Sequence, residues 1–150
     1  MKNFIGIFLI FSIWAHALDR ESTLKIYQDI FTTLSDKPVV SVYTLDSEYQ
    51  NVFKKSSRLH LVHSAEGADI ILITNIYDLN SVLKSKVFQR STHRPIVFVT
   101  NYNLLKNSES IVGAIYWRKG RSQLLFLKEH LQKNHIKLPK KYHKFMVEKL

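Results

Sequence analysis

Two runs of apolar residues constrain the fold of this chain more than any other feature. Residues 68–74 (ADIILIT) and 95–100 (PIVFVT) carry β-favouring side chains at nearly every position. Because successive strand residues point to opposite faces, an apolar residue at each position requires that both faces be covered. Such strands are typical of a parallel sheet that lies between two layers of helices.

The composition indicates one folded domain with a positive surface. The chain has 150 residues, of which 45% are hydrophobic and 23% charged, enough for a core of its own. Its formal net charge of +10 favours an anionic partner, such as an acidic protein, an anionic lipid, a cell-wall polymer or a nucleic acid. It has no cysteine, which excludes disulfides, thiolate metal sites and cysteine nucleophiles.

Residues 1–17 have the three-part pattern of a secretory signal peptide. Lys2 provides a positive start, residues 4–14 are apolar, and Ala15 and Ala17 occupy the two positions that signal peptidase reads. The apolar stretch is shorter than the roughly 20 residues that span a bilayer. We therefore predict cleavage after Ala17 and a periplasmic domain of residues 18–150 that does not span the membrane. A periplasmic location argues against nucleic acid as a partner.

The rest of the chain alternates between strand-like and helix-like patterns. Residues 111–117 and 123–127 predict a β-hairpin around Gly120, which supplies the positive φ of a tight turn. Further strands are expected at residues 39–45 and 58–62, and helices at residues 21–34, 47–55, 78–89, 128–134 and 139–150. This order predicts a single α/β domain with a three-layer, Rossmann-like architecture. Its mixed sheet would combine a parallel core with a C-terminal β-hairpin.

No residue pattern identifies a reaction. The chain lacks a Gly-x-Ser-x-Gly elbow, a phosphate-binding glycine loop and a His-Glu-x-x-His motif. His60 and His63 are three residues apart on a predicted strand and therefore face opposite sides. His130 and His135 are five apart on a predicted helix, about 140° around its axis. The sequence therefore predicts a non-enzymatic protein without a metal or cofactor.

One group of candidate binding residues follows the two buried strands. In open α/β sheets, ligands bind beyond the carboxyl ends of the strands. Alternatively, the same residues only cap the turns that follow the strands. The group consists of Thr74, Asn75, Thr100, Asn101 and Tyr102.

A second group lies at the hairpin turn and fits an acidic partner. Arg118, Lys119 and Arg121 fall within four residues, next to Trp117. Strand alternation predicts that Trp117 points outward, because Tyr116 continues an inward set begun by Val112 and Ala114. Alternatively, the charges only keep the turn soluble. The basic segment 139–150 is expected to fold its apolar side onto the domain rather than onto a membrane.

These features resemble the YfiR/HmsC-like periplasmic family over residues 38–150. The residues that carry the resemblance are 67–73 (GADIILI), 95–100, 113–117 (GAIYW), Gly120, Arg121, Phe126 and 136–138 (IKL). The resemblance implies a non-enzymatic regulator of an inner-membrane signalling protein, such as a diguanylate cyclase or a sensor kinase. Members of the family commonly carry cysteines that respond to redox state. This chain has none, so sensing through thiols is excluded for it. Two alternatives stay open, a periplasmic small-molecule or anion-binding module and, ranked lowest, a hydrolase; a homodimer is also left open.

Overall fold

A computed structural model describes the backbone of residues 2–90 and 93–150 and the side chains of residues 19–89 and 93–150. Its α-helices are α1 (Lys2–Ser35), α2 (Ser47–Phe53), α3 (Ile76–Leu83), α4 (Lys86–Arg90) and α5 (Lys128–Lys133). Its strands are β1 (Val40–Tyr43), β2 (Leu59–Leu61), β3 (Ile70–Ile73), β4 (Ile96–Val99), β5 (Ile111–Arg118), β6 (Arg121–Leu127) and β7 (Met146–Val147). Short 3-10 helices span Ala65–Gly67, Tyr102–Leu104 and Lys140–Phe145.

The predicted cleavage site lies outside the part of the chain whose side chains are described. Among the residues that are described, no helix combines the length and hydrophobicity needed to cross a bilayer.

The seven strands form one mixed sheet in the order β2-β1-β3-β4-β5-β6-β7. Strands β1 to β5 are mutually parallel, β6 returns antiparallel to β5, and β7 runs parallel to β6. The predicted α/β fold is therefore confirmed, including its three layers, parallel core and C-terminal hairpin.

Each face of the sheet is covered by its own hydrophobic cluster. One face, here called the α1 face, packs under α1, α2 and α5, and the other, the α3 face, packs under α3 and α4. Strand β3 contributes alternately to the two, with Ile70 and Leu72 on the α1 face and Ile71 and Ile73 on the α3 face. All four side chains are at most 1% exposed, as the doubly apolar pattern predicted.

Aromatic side chains join α1 and α2 to the centre of the sheet. The ring centroid of Tyr27 lies 5.3 Å from that of Phe31, 5.5 Å from those of Tyr49 and Phe53, and 6.5 Å from that of Phe98. All four pairs are edge-to-face, the arrangement that the ring quadrupole favours.

A β-bulge in β5 changes which residues share a face. Val97 pairs with Ile111 whereas Phe98 pairs with Gly113, so Val112 is an extra residue in β5. Val112 therefore lies on the α1 face, opposite to Ala114. Val112 is buried, as predicted, but it does not share a face with Ala114 and Tyr116, because strict alternation fails at a bulge.

Two predicted helices differ from the structure. Residues 78–89 form part of two helices, α3 and α4, because Ser85 ends the first with bonds from its N–H and hydroxyl to the Val82 carbonyl. The predicted helix at residues 139–150 is wrong: a 3-10 helix is followed by β7, which pairs with Phe126 and Leu127 of β6. A free 12-residue helix is marginal, whereas β7 satisfies backbone groups at the edge of β6.

Candidate functional site

The ends of the parallel strands bring both predicted groups of residues to one edge of the sheet. We call this the carboxyl edge, where β1, β3, β4 and β5 end. The Thr100 N–H donates to the Ile73 carbonyl at 3.1 Å, so Thr74 and Thr100 end adjacent strands. Because β5 runs parallel to β4, the hairpin turn lies at the same edge.

The two asparagines at this edge cap the helices that follow them. The Asn75 side chain accepts from the Asp78 N–H at 3.0 Å and donates to the Asp78 carboxylate at 2.8 Å, at the start of α3. The Asn101 side chain accepts from the Asn103 N–H at 2.9 Å. Capping is thus their observed role, and a ligand at Thr74, Asn75, Thr100 and Asn101 stays a prediction.

Tyr102, the fifth residue of this group, supports the hairpin. Its ring centroid lies 5.3 Å from that of Tyr116, and both side chains pack against the α3-face cluster. Tyr116 is half-buried there, so its predicted inward orientation is confirmed. Tyr102 therefore connects the strand ends to the base of the hairpin turn.

The strand order places a topological switch point between β1 and β3, which the sequence predictions did not single out. After β1 the chain leaves to α2 on one face, and after β3 it leaves to α3 on the other, the topological switch point of an open sheet. Thr44 follows β1 here and is 3% exposed; its hydroxyl accepts from the Asp46 N–H at 3.3 Å. The Gln50 side chain donates to the Thr44 carbonyl at 2.8 Å. Thr44 follows its strand just as Thr74 and Thr100 follow theirs, and this shared position was the signal in the sequence that could have identified it.

The hairpin presents the second predicted group on a tight two-residue turn. Lys119 and Gly120 have φ values of 51° and 78°, the two positive angles of a type I′ turn. Trp117 is 72% exposed, which confirms its predicted outward orientation. Arg118 pairs across the hairpin with Arg121. Within the described part of the chain, neither arginine nor Lys119 has an acidic side chain at ion-pair distance.

Two further apolar side chains are exposed near the carboxyl edge. Tyr77, in the first turn of α3, is 82% exposed, and Leu45, after β1, is 48% exposed. Leu45 and Tyr77 follow the ends of β1 and β3, and Trp117 is the last residue but one of β5.

A large groove lies at the opposite edge, where the parallel strands begin, and sequence reasoning missed it. We call it the amino-edge groove; its volume is about 1310 Å³. The C-terminal ends of α1 and α5 line it on the α1 face. Its lining includes Pro38, Pro95 and Pro139, which are all three prolines of the chain. Each proline precedes a strand or a 3-10 helix, and this common position was the signal available in the sequence.

Asp69 organises the centre of this groove. Its carboxylate accepts from the Ser41 N–H at 2.9 Å and from the Lys37 ammonium at 2.6 Å. Its backbone N–H donates to the Ser41 carbonyl at 2.8 Å, and its carbonyl accepts from the Ile96 N–H at 2.9 Å. Asp69 therefore joins the beginnings of β1, β3 and β4 to the turn after α1.

A second ion pair ties α5 to the segment before β5. The Lys133 ammonium lies 2.6 Å from the Glu109 carboxylate and 3.1 Å from that of Glu129. The hydrogen bond from Lys133 lowers the pKa of Glu109, and the bonds to Glu109 and Glu129 raise the pKa of Lys133. The Asn134 side chain also donates to the Glu109 carbonyl at 3.0 Å. The wall of the groove beside α5 is thus fixed by several polar contacts.

In the part of the chain whose side chains are described, no group of three or more histidine, aspartate or glutamate side chains is arranged to hold a metal ion. The geometry offers charged and hydrogen-bonding surfaces at both edges of the sheet. The resemblance to the YfiR/HmsC-like family stays a prediction. In comparisons with known proteins, no family model, no curated protein and no solved structure matches this chain.

Proposed function

We propose that this chain is a non-enzymatic regulatory protein of the periplasm that binds an acidic surface of an inner-membrane signalling protein. The observation that carries the proposal is the hairpin tip, residues 117–121, which holds three cations and an exposed tryptophan on a rigid turn. The signal-peptide pattern supports the compartment. The resemblance to the YfiR/HmsC-like family supports a partner such as a diguanylate cyclase or a sensor kinase.

The charges at the hairpin tip are better explained by a partner than by the stability of the hairpin. Arg118 and Arg121 lie directly opposite each other in the register of β5 and β6. Like charges at directly opposite strand positions are destabilising. An acidic partner surface would neutralise this repulsion. Ordering one long side chain on binding costs about 0.5–1.5 kcal/mol. Because the backbone of the turn already has a defined conformation, binding would immobilise only side-chain torsions.

Exposed apolar side chains supply the other component of an interface. Aromatic residues often carry most of the energy of a protein interface. Trp117 in β5, Tyr77 after β3 and the apolar Leu45 after β1 are exposed and lie at the same edge of the sheet. The strands β1 and β5 are three strand spacings apart, about 14 Å. A typical interface covers about 800 Å² on each partner, so one partner can contact both β1 and β5 ends.

The alternative of a small-molecule or anion-binding module relies on Thr74, Asn75, Thr100, Asn101 and Tyr102. The side-chain oxygens of both asparagines accept bonds from their own helices, and Tyr102 packs on Tyr116. These contacts make the strand ends less suited to a ligand than the hairpin tip is to a protein.

Charge reversal tests the proposal. Crosslinking in intact envelopes would identify the partner, and binding of the purified partner would then be measured at several salt concentrations. We expect Arg118→Glu with Arg121→Glu to keep the native melting transition and to weaken binding at least about tenfold. The salt dependence of binding should also become shallower, because fewer charge pairs form across the interface.

Lys140→Glu with Lys149→Glu is the matched control, since it changes the net charge equally at two exposed lysines away from the hairpin. It should retain most of the affinity. If both double variants bind alike at low salt, the hairpin is a solvated turn and the interface lies elsewhere.

A further inference from the structure

We propose that the amino-edge groove is a second binding site, which takes an extended acidic peptide segment of a partner protein. The groove lies at the edge of the sheet opposite to the hairpin tip, so the two sites are independent. The proposal depends on the dimensions of the groove, on the charges left unpaired along it and on its rigid lining.

The dimensions fit a chain molecule better than a compact ligand. The groove runs past the beginnings of β2, β1, β3, β4 and β5, which Arg58, Pro38, Asp69, Pro95 and Ser110 mark in its lining. Four strand spacings amount to about 19 Å, the length of about six residues of extended polypeptide. The volume of about 1310 Å³ also exceeds the roughly 300–1,000 Å³ that is typical of small-molecule sites.

The charges left unpaired in the groove are mainly positive. Two acids of the lining are each held by a lysine at 2.6 Å, Asp69 by Lys37 and Glu109 by Lys133. In contrast, Arg94 and Lys137 are exposed, and neither has an ion-pair partner within the described residues. The remaining acid of the lining, Asp36, does not pair with them. A ligand with carboxylates spaced along an extended chain would complement this pattern.

The apolar part of the lining favours a peptide among anionic ligands. Pro38 and Pro139 are exposed and Pro95 is buried; because proline has a fixed φ and no N–H, the two exposed prolines add rigid apolar surface to the lining. Apart from His93 and His135, the described lining contains no aromatic side chain, so it offers few of the aromatic platforms on which nucleobases stack. Apolar side chains that alternate with acids along a peptide would meet both components of the lining.

The two helix ends that form the walls are held in place by their own backbone. The Lys37 N–H donates to the Thr32 carbonyl at 3.3 Å, and the Ile136 N–H donates to the Leu131 carbonyl at 2.9 Å. These are Schellman-type ends with a left-handed residue, which is Asp36 after α1 and His135 after α5. The walls are therefore preorganised, and binding would order little besides the peptide itself.

The test uses a fluorescein-labelled octapeptide of alternating glutamate and leucine, titrated with the full chain by fluorescence anisotropy at low salt. The same peptide with glutamine in place of glutamate tests the charge requirement. A heparin-derived hexasaccharide tests whether any polyanion will bind. The protein variants are Arg94→Glu with Lys137→Glu for the groove, and Lys144→Glu with Lys149→Glu as a control that makes the same change of charge at two exposed lysines outside both the groove and the hairpin tip.

We expect the acidic peptide to bind the unmodified chain and the control variant alike, and to lose about tenfold in affinity with the groove variant. The glutamine peptide should bind weakly or not at all. Equal losses in both variants would show unspecific charge attraction and overturn the proposal. The proposal would also be overturned if the acidic peptide did not bind. The same holds if the hexasaccharide bound instead of the peptide and its binding depended on Arg94 and Lys137. None of these outcomes bears on whether the hairpin tip binds a signalling protein.

Discussion

Gly113 occupies a position where the packing leaves no room for a side chain. A Cβ atom there would lie 2.5 Å from the Leu125 carbonyl oxygen, 2.9 Å from Phe126 Cδ1 and 3.0 Å from Phe98 Cε2. The nearest of these atoms belongs to the backbone of the neighbouring strand, so it cannot rotate away. We therefore expect Gly113→Ala to lower the free energy of unfolding by about 1–3 kcal/mol, the usual cost of overpacking. Urea denaturation measures this change.

Gly67 provides the control for this substitution. No atom lies within 4 Å of a Cβ built at Gly67, which is exposed at the end of a 3-10 helix. Gly67→Ala should leave the urea midpoint unchanged or raise it slightly, because alanine restricts the unfolded chain. Equal midpoints for the two variants would contradict the close packing of β5 against β4 and β6.

Individual residues were predicted well where local chemistry decides their role. The prediction of a helix that begins at residue 47 is confirmed, and the Asp46 carboxylate caps it by accepting from the N–H groups of Glu48 and Tyr49. The capping roles of Asn75 and Asn101 were foreseen as an alternative. The face of Val112 was not, because a bulge depends on the register between β4 and β5, which the local sequence does not contain.

Among the single elements, the last segment of the chain adds β7 to the edge of the sheet beside β6. Tyr142 is 7% exposed, and its ring centroid lies 5.8 Å from that of Phe126 in an edge-to-face contact. It anchors the 3-10 helix that leads into β7. We expect Tyr142→Ala to lower the free energy of unfolding by about 3 kcal/mol, in the range of large aromatic truncations. Thermal or urea denaturation would show this loss.

Lys141→Ala, at an exposed neighbour of Tyr142, should change stability by less than about 0.5 kcal/mol. If the Tyr142 and Lys141 variants were equally stable, the final segment would not pack as the structure shows. The sequence predicted that this segment folds onto the domain. It did not predict the 3-10 helix and strand, because apolar residues at helical spacing in a short segment do not reveal the unpaired edge of β6.

The free energy of unfolding of the whole domain should depend on alkaline pH through Tyr27. Burial raises the pKa of Tyr27 well above its usual value, and the neighbouring Tyr49 raises it further. In the unfolded chain a tyrosine ionises at about pH 10. Below that pH Tyr27 is protonated in both states, and its full contribution to the free energy of unfolding is present. As the pH rises toward the folded-state pKa, the unfolded state loses its proton first, and stability falls.

Tyr27→Phe should therefore lose less stability than the unmodified chain between about pH 9 and pH 11, as measured by urea midpoints. At neutral pH the variant should differ little, since the Tyr27 hydroxyl makes only a 3.4 Å bond to that of Tyr49. Tyr77→Phe is the control, since it removes the hydroxyl of a side chain that is 82% exposed and lies outside the Tyr27 cluster. Identical alkaline slopes for all three proteins would show that Tyr27 ionises freely in the folded state.

The general architecture was more predictable than the sites. Doubly apolar runs identify buried parallel strands because burial on both faces leaves a direct trace in the sequence, as Ile70–Ile73 shows. The amino-edge groove leaves no such trace, since Lys37, Arg94 and Lys137 meet only after distant segments have packed.

The short outer strands of the sheet have a consequence for self-association. Strand β2 has three residues and β7 has two, so each outer edge offers few unpaired backbone groups to a second copy of the chain. Residues 115–118 of β5 extend beyond the pairing with β4, and residues 121–125 of β6 extend beyond the pairing with β7, so both carry longer rows of unpaired backbone groups. The cations at their tip repel the same cations on another molecule. The hairpin charges would thus protect against ordered aggregation even in the absence of a partner.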